Sequence, residues 1–188
     1  WLEPVSYPYI RSLKITPDID AQSVKIQADV AIDPKAAQKI DLAATVLDGA
    51  TEIASARLQP GANAITVKLP NPKLWSQETP FLYNLRVNAG SDAVESYFGM
   101  RKIEVKKDDK GVNRIYLNNQ PIFMAGPLDQ GCWPDGIYTA PTDEALKYDI
   151  EITKKLGFNA TRKHVKVVPA GRYYWCEKDG LLVRQAQA

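Results

Sequence analysis

The sequence is short of the residues on which most metal and covalent chemistries depend. It holds one histidine and two cysteines among 188 residues. Cys132 and Cys176 have no CxxC spacing and a single histidine to join them, which argues against a zinc site and favours two free thiols over a disulfide. Charge of one sign is equally scarce. Lys and Arg number 24 against 22 Asp and Glu, a formal net charge of +2, and no basic run is interleaved with aromatics. That balance speaks against a nucleic-acid partner. No apolar run approaches the length that spans a bilayer, and no signal peptide opens the chain, so no membrane partner is expected. A serine–histidine–acid order, a phosphate loop and a metal cluster are all missing, and neither cofactor nor metal is expected. The compartment stays open between cytoplasmic and periplasmic or secreted.

What is present suits a folded domain. Hydrophobic content is 45% and charged content 24%, enough to bury a core in one or two domains. From Tyr9 to about Val105 the pattern is all-β. Val24, Ile26, Ala28, Val30 and Ile32 alternate with more polar residues, the period of a half-buried strand. Leu42, Ala44 and Val46 repeat it, as do Ile65, Val67 and Leu69, and then Tyr83, Leu85 and Val87. Turn residues such as Asp48-Gly49, Pro60-Gly61 and Ala89-Gly90 separate these runs. Roughly seven short strands at this spacing predict an immunoglobulin-like β-sandwich. Trp75 and Tyr83 read as sandwich core and interdomain packing.

The charged run from Lys106 to Gly111 is the expected domain break. Arg114 to Phe123 reads as a hairpin around Asn118-Asn119. An apolar strand, Ile122 to Ala125, then leads into a loop carrying Asp129, Gln130, Trp133 and Asp135. The helix after it is well marked. Thr142 is the N-cap, Asp143 and Glu144 fill the first turn, and Ala145, Leu146, Ile150, Thr153 and Leu156 give an apolar face. Gly157 ends it. A short strand closes on Arg162-Lys163-His164, a weaker helix spans 169–178, and Leu181-Leu182-Val183 is a further strand. Strand, polar loop, helix and strand make one β/α unit of a parallel sheet, and in α/β barrels the loops after the strands build the site. An aromatic and acidic loop there is what a sugar-handling site would use.

Four blocks carry a resemblance. They are NPKLWSQETPFLYNLRV (71–87), FGMRKIEV (98–105), IYLNNQPIFMAG (115–126) and LDQGCWPDGIYTAPTDEALKYDIEITKKLGFN (128–159). Together they resemble glycoside hydrolase family 2, the β-galactosidase and β-glucuronidase group, over nearly the whole chain. The resemblance implies a mainly β fold with an α/β portion. Residues 1–8 would be the tail of a preceding jelly-roll domain, 9–106 the sandwich, and 107–188 the start of an incomplete TIM barrel. It also implies retaining hydrolysis of terminal β-linked sugars by two glutamates, one in an Asn-Glu pair after the fourth barrel strand. This chain has no Asn-Glu pair, and a whole barrel takes about 250 residues. No catalytic residue is therefore assigned, and the chain alone is expected to be inactive. The alternative is a non-catalytic module that binds carbohydrate or a partner protein.

The end of the chain departs from the family pattern. Val168 stands for a Glu, Gly171-Arg172 for an Arg-Trp pair, Arg184 for a Trp and Ala186 for an Asp, with Ala160 and Thr161 where large apolar residues are usual. These swaps are expected to solubilise or neutralise an incomplete barrel. Asp129 and Asp135 are the loop carboxylates that could imitate a glycosidase pair, which needs about 5 Å for retention or up to roughly 9 Å for inversion; capping of their own turns is the favoured reading. Trp133 and Tyr138 could stack on a sugar ring or pack the barrel. The resemblance puts Arg162 and His164 where basic residues line the saccharide site. Asp129, Trp133, Asp135, Arg162 and His164 are thus the expected substrate-binding residues for a β-glycoside, with self-association through the open barrel edge.

Overall fold

The alternation read in the first half of the chain builds two antiparallel sheets. A computed structural model describes residues 2–35 and 40–186, and it divides the chain into two units, Trp1–Lys73 with Leu82–Lys102 and Leu74–Phe81 with Ile103–Ala188. In the first unit the strands are β1 (Tyr9–Asp18), β2 (Ser23–Ala31), β3 (Leu42–Asp48), β4 (Thr51–Arg57), β5 (Ile65–Lys68), β6 (Tyr83–Ala89) and β7 (Asp92–Phe98). They order as β1-β2-β5 and β4-β3-β6-β7, two sheets of the kind that face one another in a sandwich. Val24, Ile26, Ala44, Val46, Ile65, Val67, Leu85 and Val87 are each at most 1% exposed. Burying one such aliphatic side chain contributes roughly 1.5–3 kcal/mol. Tyr83 stacks on Phe98 with ring centroids 5.5 Å apart, and its hydroxyl accepts from the Lys73 amide at 2.8 Å. The β2 alternation slips at its end, where Ala31 is buried and Ile32 exposed. The paired β1 carries a register shift between Ile10 and Ser12 at the same level, and such bulges change local twist and facing.

The second unit opens with β8 (Ile103–Lys107), β9 (Asn113–Leu117) and β10 (Gln120–Ile122), ordered β10-β9-β8. The charged run 106–111, expected as a domain break, instead ends β8 at Lys106 and Lys107 and makes the turn into β9. Asp108 accepts there from the amides of Lys110 and Val112, both at 2.9 Å, and from Arg114 Nε at 2.6 Å. Its hydrogen bond from Arg114 holds the carboxyl below the usual range. Asn118 and Asn119 take φ of 50° and 67°, the left-handed pair a two-residue hairpin loop requires.

Three parallel strands follow, β11 (Leu128–Asp129), β12 (Ala160–Lys163) and β13 (Leu182–Gln185), in the order β11-β12-β13. Between them run α1 (Asp143–Lys155) and α2 (Ala170–Asp179). The Thr142 hydroxyl accepts from the Ala145 amide at 3.2 Å and caps α1, whose buried face is Leu146 and Ile150. Leu156, expected on that face, is instead the C-cap and is 68% exposed. Gly157 follows at φ 88°, a conformation that suits glycine. Ile150 meets Cys176 and Leu181 in the core behind the sheet.

Two expectations need correcting. Residues 123–125 form no strand. Phe123 is 83% exposed, and the parallel ladder starts only at Leu128. A short apolar run without period does not distinguish a strand from an extended connection, and Pro127 has no amide hydrogen to donate to a ladder. Trp75 is not sandwich core: it belongs to the second unit, where its indole N–H donates to the Glu177 carbonyl at 2.6 Å. Among the described residues no helix is long and apolar enough to cross a membrane.

Candidate functional site

The parallel register sorts the candidate residues onto two faces. Leu128 pairs with Arg162 and Arg162 with Arg184, while Asp129 pairs with Lys163 and Lys163 with Gln185. Side chains level across parallel strands point the same way, and their sequence neighbours point to the other face. The face carrying Asp129, Lys163 and Gln185 meets α2, where the Tyr173 hydroxyl donates to Gln185 Oε1 at 2.7 Å. The opposite face carries Arg162 and Arg184, which line a groove of about 380 Å³ with residues of β9 and β10. Asp129 and Arg162, expected in one site, therefore lie on opposite faces of the sheet.

On the helix side Asp129 is the counter-ion of two buried cations. Lys163, 1% exposed at its side chain, lies 3.4 Å from Asp129 Oδ1, and Arg172, 8% exposed, lies 2.5 Å from Oδ2. These are ion pairs whose angles fall outside hydrogen-bond geometry; the bond Asp129 does accept comes from the Gly131 amide at 2.6 Å. Arg172 also stands 3.7 Å from Asp149 of α1. Burial holds the Lys163 ammonium below the ordinary lysine range, against the pull of Asp129. Burial likewise raises the Asp149 carboxyl, with Arg172 opposing it. Arg172 was expected among the solubilising swaps, yet it is 6% exposed. The available signal was its spacing of four from Cys176, which puts both on one face of α2.

Cys132 is exposed and Cys176 buried, and both are free thiols. Burial pushes the Cys176 thiol up to about 11 from 9.0. Because the folded value is the higher one, the thiol's stabilising contribution is complete below pH 9 and is lost as pH rises through about 11. Unfolding free energy measured from pH 8 to 11 is expected to fall by about 2–3 kcal/mol more in the native chain than in Cys176→Ala. The comparison cancels Lys163, whose lowered value gives a slope of opposite sign. Equal slopes in the two proteins would refute this assignment.

The loops after β11 and β12 bring part of the expected set together. The His164 amide donates to the Asp129 carbonyl at 2.9 Å, and the Gln130 side-chain amide lies 3.3 Å from His164 Nδ1. Lys166 donates to the Gly131 carbonyl at 3.1 Å and sits 3.7 Å from the centre of the Tyr138 ring. Trp133 is half-buried and pairs its backbone with Ile137 at 2.8 and 3.1 Å, which closes a tight loop with Asp135 exposed within it. Ile137 and Val165 adopt φ of 56° and 64°. β-Branched residues rarely adopt such values, and strain of this kind clusters at functional loops. Among the described residues no group of His, Cys, Asp or Glu could hold a metal ion.

No local sequence pattern singles out Asn159, yet it ties three segments together. Its side chain accepts from the Ala125 amide at 2.8 Å and donates to the Phe123 carbonyl at 2.8 Å, while its carbonyl accepts from Gln77 at 2.6 Å. It fixes the connection between β10 and β11 against the start of β12.

An antiparallel sandwich and a parallel strand–helix sheet occur in this same order in solved β-glucuronidases. The β-D-glucuronidase of Dictyoglomus thermophilum superposes with a TM-score of 0.78 at 17% identity, over 96% of this chain and 30% of that one. The β-glucuronidase of Faecalibacterium prausnitzii superposes with a TM-score of 0.79 at 24% identity, over 94% and 27%. Residues 8–101 match the glycosyl hydrolases family 2. The chain belongs to that family. A β-galactosidase of Pseudoalteromonas haloplanktis is 27% identical over 196 residues, 93% of this chain and 18% of the relative. The chain thus spans about a fifth of the length of that relative.

Proposed function

We propose that the chain is a section of a β-glycoside hydrolase acting on terminal galactoside- or glucuronide-type sugars, with the catalytic glutamates carried by other parts of a longer protein. In this reading residues 1–8 are the tail of a preceding domain, 9–106 the middle sandwich, and 107–188 the first β/α units of a TIM barrel. The observation that carries it is the parallel order of β11, β12 and β13 with α1 and α2 between them, and His164, Gln130 and Trp133 in the loops after the strands. Sites of such barrels lie at that end. Trp133 and Tyr138 offer ring faces, and Arg162 and His164 polar groups, while Asp129 holds Lys163 and Arg172 in place.

The test compares the 188-residue chain with one extended past Ala188 through a complete barrel. The extended protein is expected to hydrolyse an aryl β-galactoside or β-glucuronide and the short one is not; an extended protein silent on both would overturn the reading. The alternative, a binding module without catalysis, would then gain ground. β11 and β13 are open edges that can pair with another chain, so self-association belongs to the same proposal. Light scattering should show species above the monomer mass at high concentration, and a monomer throughout would remove that part.

A further inference from the structure

Asp-Gly pairs occur in the sequence at 48–49, 135–136 and 179–180. In such a pair the glycine amide nitrogen can attack the aspartate Cγ, because glycine puts no side chain in the way and leaves the backbone free to turn. The fold treats the pairs differently. Asp48 ends β3 opposite Thr51, and Lys73 Nζ ties its carboxylate at 2.5 Å. Gly180 caps α2, and its amide donates to the Cys176 carbonyl. The electrophile is thus engaged at the first pair and the nucleophile at the last. Asp135 and Gly136 are both exposed. Among the described residues the Asp135 carboxylate has neither ion pair nor hydrogen bond, and the Gly136 amide donates to no acceptor. A Cβ at 136 would lie 2.1 Å from the Thr139 carbonyl oxygen, so this loop needs a glycine next to Asp135. Ile137 follows at φ 56°, a strained value for a β-branched residue.

We propose that Asp135 is a site of spontaneous isoaspartate formation, a modification that opens the loop between Trp133 and Ile137. The Gly136 nitrogen bonds to Cγ of the neutral carboxyl group, whose hydroxyl leaves with the amide proton as water. Water then opens the cyclic imide. Addition at Cγ restores aspartate, whereas addition at the Asp135 main-chain carbonyl leaves the chain running through Cβ and Cγ. That second route adds a backbone carbon inside the loop that Trp133 and Ile137 close with hydrogen bonds of 2.8 and 3.1 Å. The longer loop does not keep both bonds, and Ile137 is released from its positive φ. The modification is independent of what the loop binds.

Peptide mapping by mass spectrometry tests it, on the 188-residue chain stored near neutral pH in oxygen-labelled water. Labelled isoaspartate is expected to accumulate at Asp135 about tenfold faster than at Asp48 or Asp179, the rate equivalent of a single hydrogen bond. In concentrated urea the rates at the three pairs should converge. Asp135→Glu, which would need a larger ring, should give no product at 135 and unchanged rates at the other two. Hydrogen exchange at the Ile137 amide should quicken in the converted molecules. Equal rates in the folded chain, no product at Asp135, or a ranking that persists in urea overturns the proposal. Exchange at Ile137 that stays slow after conversion overturns the opening of the loop.

Discussion

Asp129→Asn is expected to destabilise the chain by about 3–5 kcal/mol, the cost of leaving buried cations without their counter-ion. Lys163 and Arg172 are 1% and 8% exposed at their side chains, and both close on this one carboxylate. An amide at position 129 keeps the size of the side chain but cannot offset either charge. Natural domains hold only about 5–15 kcal/mol in total, so the variant should lose a large part of its resistance to urea. A second substitution separates charge from shape. Adding Lys163→Met to Asp129→Asn removes one stranded cation, leaves Arg172 with Asp149 at 3.7 Å, and should recover more than half of the loss. If Asp129→Asn unfolds within 1 kcal/mol of the native chain, the cluster does not organise the sheet and helices as described.

Gly126→Ala should be nearly as damaging, for a steric reason. A Cβ at that position would lie 1.6 Å from the Ala160 carbonyl oxygen and 2.4 Å from its carbon. Both atoms belong to backbone at the start of β12, so no side chain can swing away. The Ala125 carbonyl next to it accepts from the amides of Asn159 and Ala160, each at 3.1 Å. Separating the two segments by the width of a methyl group would break both bonds. The expected cost is about 3 kcal/mol, at the upper end for overpacking, with faster hydrogen exchange at Ala160. Gly157→Ala is the control: it has φ 88° and nothing within 4 Å, so backbone strain alone should cost about 1 kcal/mol. Equal effects at 126 and 157 would contradict the packing described.

The features legible in the sequence are those fixed by neighbours along the chain. Val24 and Ile26 alternate because one face of β2 is buried, Asn118-Asn119 turns because both residues tolerate positive φ, and Thr142 caps because it precedes α1. The residues that escaped reading depend on partners far away in sequence. In the sequence Asp129 reads as a loop residue, because only the pairing of Leu128 with Arg162, 34 positions on, reveals a strand. The same register decides that Asp129 faces α2 while Arg162 faces the groove. Arg172 looked like a surface substitution, and only its approach to Asp129, 43 positions back, makes it internal. Trp75 sits between strands of the sandwich in sequence but packs in the other unit, which no local pattern encodes.

Hydrolysis of a panel of aryl β-glycosides by the folded 188-residue chain tests the central claim most directly. No turnover is expected on any member: Asp129 is held between two cations, and in the proposed reading the catalytic glutamates belong to other parts of a longer protein. Turnover that disappears on Asp135→Asn, a substitution at an exposed position that leaves the Asp129 cluster intact, would contradict it.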